Sequence, residues 1–213
     1  IELEKEILDK ISKHTNLREL LISVDTNPKY LVTALYFFKN IHRLGIKNQR
    51  TCDLLEDLAT TTLSFIYGGD PFLYGYKQRY KTVPDGVFIA WRTEKEGGKI
   101  DLIGIIDTKA TKLKLNKNNA SKYLNYIGKI RKLPWVTTDH KLALFFISLD
   151  TCNNIEKRFK ENKEDDGLKG FYNEILKNLK ENEFIVVLPL NSLISMLDTY
   201  LSAIRRIPIS MSR

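Results

Sequence analysis

The sequence predicts an α/β fold: a mixed β-sheet flanked by helices, with an N-terminal helical extension. Three observations predict it. Short runs rich in β-branched and aromatic residues, VFIAW (87–91) and IDLIGI (100–105), flank a polar RTEKEGGK (92–99) with two adjacent glycines, as in a β-hairpin. Two later runs, KLALFFISL (141–149) and FIVVL (184–188), read as strands separated by a stretch of helical spacing. Amphipathic helical patterns precede and follow them, and strands alternating with helices in this way build layered α/β structures.

Taken in order, ELEKEILDKISK (2–13) sets Leu3, Ile7, Leu8 and Ile11 at helical spacing. Asn16, with Glu19 three residues on, resembles a capping box for a second helix. Asn27-Pro28 opens a third, which runs to Gly45 and is apolar enough to be buried on more than one side. Residues 1–49 are therefore read as a helical extension, either a brace for the core or part of a linker or recognition region, and 50–213 as the core domain. A helix over about 50–67 turns Leu54, Leu55, Leu58, Thr62, Phe65 and Ile66 inward and ends at Gly68-Gly69. Residues 70–82 read as a loop in which Tyr74, Tyr76 and Tyr80 alternate with Lys77, Arg79 and Lys81. Such interleaving suits a phosphate backbone, or tyrosines packing the loop down while the lysines stay wet.

The hairpin carries the chemistry. Pro84-Asp85-Gly86 precedes its first strand, and Asp107-Thr108-Lys109 closes its second. Alternation along a strand points Asp107 and Lys109 to one face and Thr108 to the other. An antiparallel partner can bring Asp85 beside Asp107. Two close carboxylates repel unless a cation lies between them. Mg²⁺ takes a few carboxylate oxygens and leaves other positions to water and phosphate, and a nearby lysine can orient a water and offset charge on a phosphate. Pro-Asp-Gly alone is a turn and Asp-x-Lys alone is uninformative. Together, joined by a hairpin of this length, they are specific.

These residues resemble the PD-(D/E)xK nuclease signature, and PDGVFIAW…LIGIIDTKA is similar to the FokI-like cleavage domain of type IIS restriction endonucleases. Leu54-Leu55-Glu56 and Phe65-Ile66-Tyr67-Gly68 resemble that family's preceding helix, in which a glutamate lies near the metal. The resemblance covers roughly residues 50–150 and implies a restriction-endonuclease-like core. It implies a Mg²⁺-dependent endonuclease acting on double-stranded DNA, with Asp85, Asp107, Lys109 and Glu56 catalytic. Asp85, Asp107, Glu56 and the carbonyl of Thr108 would be metal ligands, with Asp53 and Asp57 as substitutes for Glu56. Lys77, Arg79, Lys81, Lys112 and Lys114 flank the motif as candidate DNA contacts. A second nuclease subunit or a homodimer formed on DNA is left open, and the family's oppositely charged dimer pair is absent, because Ser121 and Asn125 hold those places. A repair or junction-resolving nuclease on the same fold, or a DNA-binding module without chemistry, are the competing readings.

After the hairpin, Asn118 or Asn119 is expected to cap a helix over about 119–131, stopped by Pro134, with a basic cluster at 129–132. GLKGFYNEILKNLK has helical spacing, and Pro189 closes the last strand before a final amphipathic helix, LNSLISMLDTYLSAIRR. The composition, 43% hydrophobic and 28% charged, argues against disorder. A net charge of +8, from 34 basic and 26 acidic residues, suits a polyanionic partner. No apolar run is long enough to span a membrane and no signal peptide opens the chain, which starts at Ile1 rather than Met. Cys52 and Cys152 lie far apart, and His14, His42 and His140 are scattered, so a zinc site or a histidine-based triad has little support. The cysteines read as reduced thiols in a cytoplasmic protein.

Overall fold

The structure is a computed structural model that describes residues 29–43, 49–74, 83–94, 97–109, 116–149 and 166–206. The helices expected before residue 28 lie outside that set. The elements are α1 (Lys29–Arg43), α2 (Gln49–Tyr67), β1 (Gly69–Leu73), β2 (Gly86–Glu94), β3 (Gly97–Lys109), α3 (Lys117–Arg131), β4 (Lys141–Ser148), α4 (Asp166–Asn178), β5 (Glu183–Pro189) and α5 (Leu190–Arg206). The five strands form one sheet in the order β1-β2-β3-β4-β5. The pairs β1/β2 and β2/β3 are antiparallel, while β3/β4 and β4/β5 are parallel. The sheet is therefore mixed, and β3 is the strand shared by its two halves.

Helices cover both faces, because strand side chains alternate and both sets are apolar. One face presents Phe88, Ile106, Phe145 and Ile147 to α1, α2 and α5, with Leu35, Leu58 and Leu193 in the same cluster. The other presents Val87, Ile103, Ile105 and Phe146 to Tyr123 and Ile127 of α3 and Phe171 of α4. The fully buried residues of α1 form one stripe, Leu31, Ala34, Leu35 and Phe38, while Tyr36 is 49% exposed. Half-buried Val32 and Phe37 flank that stripe on either side, so the helix is covered over a broad face. By contrast α2 is buried almost all round from Leu58 to Ser64, because it is wedged between the sheet, α1 and α5.

Several boundaries differ from the sequence reading for local reasons. Residues 69–73, expected to belong to a loop or a helix end, form the edge strand β1, in which Pro71 is tolerated because an edge needs fewer amide donors. The hairpin strands reach into the expected turn, as far as Glu94 on one side and Gly97 on the other, with a register shift between Ala90 and Trp91. The cap of α3 is Asn116, neither Asn118 nor Asn119: its side chain accepts from the Asn119 amide at 3.0 Å. Pro189 lies within β5, and α5 begins directly after it. Gly68 ends α2 as expected, with φ at +67°, where only glycine is unstrained. Cys52 is a half-buried thiol on α2 and not in a disulfide. No helix among the described residues is long and apolar enough to cross a membrane.

Candidate active site

The hairpin register fixes the first contact. Gly86 pairs with Ile106, and the Asp85 amide donates to the Ile106 carbonyl at 3.0 Å. Asp85 therefore stands level with Asp107, one residue beyond the last rung. There its carboxylate takes over the role of a rung: Oδ2 accepts from the Thr108 amide at 2.6 Å and from the Thr108 hydroxyl at 3.2 Å. A carboxylate on a backbone amide is a charge-assisted bond, so Asp85 is oriented by the strand it serves.

Asp107 is fully buried. Lys109, two residues along the same strand face, places Nζ 2.7 Å from Asp107 Oδ2, and the same ammonium donates to the Thr108 carbonyl at 2.9 Å. The same-face expectation for Asp107 and Lys109 is met. The Thr108 carbonyl, expected from the resemblance to face a metal, is held instead by Lys109.

Glu56 arrives from α2, one turn before Thr60, whose hydroxyl donates to the Glu56 carbonyl at 2.8 Å. Thr60 lies against the backbone of Gly86. A Cβ on Gly86 would come within 2.8 Å of Thr60 Cγ2 and 2.9 Å of its Cβ, and closer still to Oγ1. The glycine of Pro-Asp-Gly thus serves more than a turn: it lets α2 approach β2 and carries Glu56 towards Asp85. The electrostatics record that approach. Burial, then the charge of Asp85, then those of Asp53 and Asp57 push Glu56 up to about 8, against Lys109, which lowers it. Burial and then the Asp107 charge raise Asp85, opposed by Lys109 and by the Thr108 amide. Glu56, Asp85, Asp107 and Lys109 therefore share one electrostatic neighbourhood at the carboxyl end of β3.

Two site residues escaped the sequence reading. Lys122 Nζ lies 2.9 Å from Asp107 Oδ1, and the Tyr123 hydroxyl donates to Asp107 Oδ2 at 3.2 Å. Both belong to α3, which crosses the sheet face that carries Ile103, Ile105 and Asp107. Burial pulls the Lys122 ammonium down, but the charge of Asp107 and its hydrogen bond outweigh this and raise it above the usual lysine value. Burial and then Asp107 raise Tyr123. The signal was available in part: Ala120, Tyr123 and Ile127 trace the sheet-facing stripe, and Lys122 borders it.

The donor set fits a small hard cation. It consists of carboxylate oxygens, which suit Mg²⁺ or Mn²⁺ rather than softer metals. Beyond the effect of burial, the Asp85 charge raises Glu56 and the Asp107 charge raises Asp85, with Lys109 opposing both. As they stand, no three His, Cys, Asp or Glu side chains among the described residues are grouped closely enough to hold a metal; lysines occupy both oxygens of Asp107. The candidate DNA contacts Lys77, Arg79, Lys81, Lys112 and Lys114 lie outside the described residues, as do Tyr76, Tyr80 and Cys152.

No family model matches the chain, and no curated protein matches it. Among solved structures, that of the restriction endonuclease FokI aligns with 82% of this chain and 27% of that one, at 14% identity and a TM-score of 0.48. The chain spans about a quarter of that protein's length.

Proposed function

We propose that this chain is a Mg²⁺-dependent DNA endonuclease domain of the type IIS restriction class, hydrolysing phosphodiester bonds of double-stranded DNA in the cytoplasm. The observation that carries the reading is the meeting of Asp85 with Asp107 and Lys109 at the end of the β2–β3 hairpin, with Glu56 brought up by α2. The motif resemblance supplies the reaction class and, with it, a 5′-phosphate and a 3′-hydroxyl as products.

Asp85 and Asp107 would hold the cation, with Glu56 binding it directly or through water. When bound, Mg²⁺ supplies Lewis-acid polarisation of the phosphate and of the attacking water. Lys109 orients that water in line with the scissile bond and offsets the charge that grows on the phosphate oxygens. The Thr108 carbonyl, which now accepts from Lys109, would be a further ligand only with that hydrogen bond given up. Lys77, Arg79 and Lys81 precede Asp85 in sequence and Lys112 and Lys114 follow Lys109, and such basic flanks suit contact with a phosphate backbone.

The test is direct. Supercoiled plasmid incubated with the chain and Mg²⁺ should give nicked and linear forms, and sequencing the cut ends gives offset and specificity. Asp107→Asn, nearly the same shape, should lower cleavage by about a thousandfold or more if the acid holds the ion and substrate in reacting geometry. Plasmid that stays intact at every protein concentration overturns the proposal. Cleavage confined to branched DNA would move it to the junction-resolving class.

A further inference from the structure

We propose that Lys122 is a resident counter-cation of the site: its ammonium holds Asp107 while no divalent cation is bound and gives that carboxylate up when one binds. This rests on reading Asp107 as a metal ligand.

The argument starts from the burial of Asp107. A carboxylate with no exposed surface is stable only if it is compensated. Three donors do this: Lys109 at 2.7 Å, Lys122 at 2.9 Å and the Tyr123 hydroxyl at 3.2 Å. Such compensation is strong enough to compete with an incoming ion, since a divalent cation and an ammonium at the same oxygen repel each other.

Of the two lysines, Lys122 is the one built to leave. Lys109 sits on the same strand as its acid and is also tied to the Thr108 carbonyl. Lys122 reaches in from a different element on a flexible stem, and its further hydrogen bond is to the side chain of Tyr126 rather than to backbone. It has a second place to rest, because Nζ already lies 5.5 Å from the centroid of the Tyr123 ring and 5.2 Å from that of Tyr126. An ammonium over aromatic faces keeps part of its stabilisation after losing a carboxylate. The fold thus provides a cation for the empty state and a seat for it in the loaded one.

A purely structural role for Lys122, fixing the rotamer of Asp107, predicts the opposite sign. Removing an orienting group weakens metal binding; removing a competitor strengthens it. An opposite charge at this range changes the proton affinity of a carboxylate by about one to three orders of magnitude, and competition for a metal should be of that scale.

The experiment is a titration of the chain with Mn²⁺ at pH 8, following free Mn²⁺ by electron paramagnetic resonance. Lys122→Met, which keeps the stem and removes the charge, should bind at least about tenfold more tightly than the wild type, and Lys122→Arg should not. Equal or weaker binding by Lys122→Met with an unchanged circular dichroism spectrum overturns the inference and leaves the nuclease reading standing. Wild-type binding no tighter than that of Asp107→Asn overturns both. An independent readout needs no variant. Acetylation of Lys122 in the wild type, followed by mass spectrometry, should be faster with Mn²⁺ present, and a rate that is unchanged or slower overturns the inference.

Discussion

Lys109 holds together two functions that can be measured apart. Its ammonium compensates Asp107 and, in the proposed reaction, steadies the water and the phosphate charge. Lys109→Met should lower single-turnover cleavage by about 10²–10⁴-fold, the scale of a positioned proton-handling group, while Mn²⁺ binds at least as tightly as to the wild type. Normal cleavage would remove the residue from the chemistry. Glu56 makes a different prediction, because its carboxyl is pushed from an ordinary 4.5 up to about 8. A raised folded value means that folding favours the protonated acid. That stabilisation is complete below about pH 4.5 and is lost as pH rises through about 8. Glu56→Gln keeps the neutral shape without the titration. In metal-free buffer its melting temperature should match the wild type at pH 5 and exceed it increasingly towards pH 8.5. A constant difference across that range would mean that burial and the neighbouring acids do not raise this carboxyl. Lys122 and Tyr123 show where residue-level reading stops, since which helical side chain reaches a strand is decided by packing and not by spacing.

At the scale of elements, the α2–β2 contact sets the geometry of the site. Gly86→Ala would drive a methyl into Thr60, forcing the helix off the strand that it must touch to deliver Glu56. Overpacking of this kind costs about 1–3 kcal/mol. Adding Thr60→Ala in the same chain should restore part of the loss, so the two changes should be non-additive in denaturant unfolding. Simple additivity would show that the helix does not rest on that glycine. The hairpin, β4, β5 and α5 were legible in the sequence, because short runs of β-branched and aromatic residues, continuous apolar stretches and a clean helical period leave little choice. The start of α3 was not, since three asparagines within four residues all have capping chemistry and only the chain path selects Asn116. Nor was β1, where Gly69, Asp70 and Pro71 contradict strand propensity; its pairing is imposed by β2, from which Trp91 also donates to Asp70 at 3.2 Å.

For the molecule as a whole, the layout puts the candidate chemistry at one end of the sheet and a structural clamp at the other. There Arg131, from the end of α3, donates through two nitrogens to the buried Glu183 at the start of β5, which also accepts from the Lys180 amide at 2.8 Å. Together with the Asn116 cap and the Lys122–Asp107 pair, this fixes α3 at both ends. In the proposed reaction one such site severs one strand. If two chains meet on the duplex, linear product should rise with the square of protein concentration while nicked product rises linearly. A linear product that scales to the first power would point instead to sequential cuts by one molecule. The bonding of β3 has a last consequence. It is laced to β2 through Ile106 and to β4 from Leu102 to Lys109, and the Thr108 amide just past the β2 ladder is taken by Asp85. A backbone tethered on both flanks has no slack, so the main chain that carries Asp107 is set by the sheet itself. In the proposed reaction, whatever rearranges is left to the tips of long side chains, and the polypeptide beneath them behaves as an anvil.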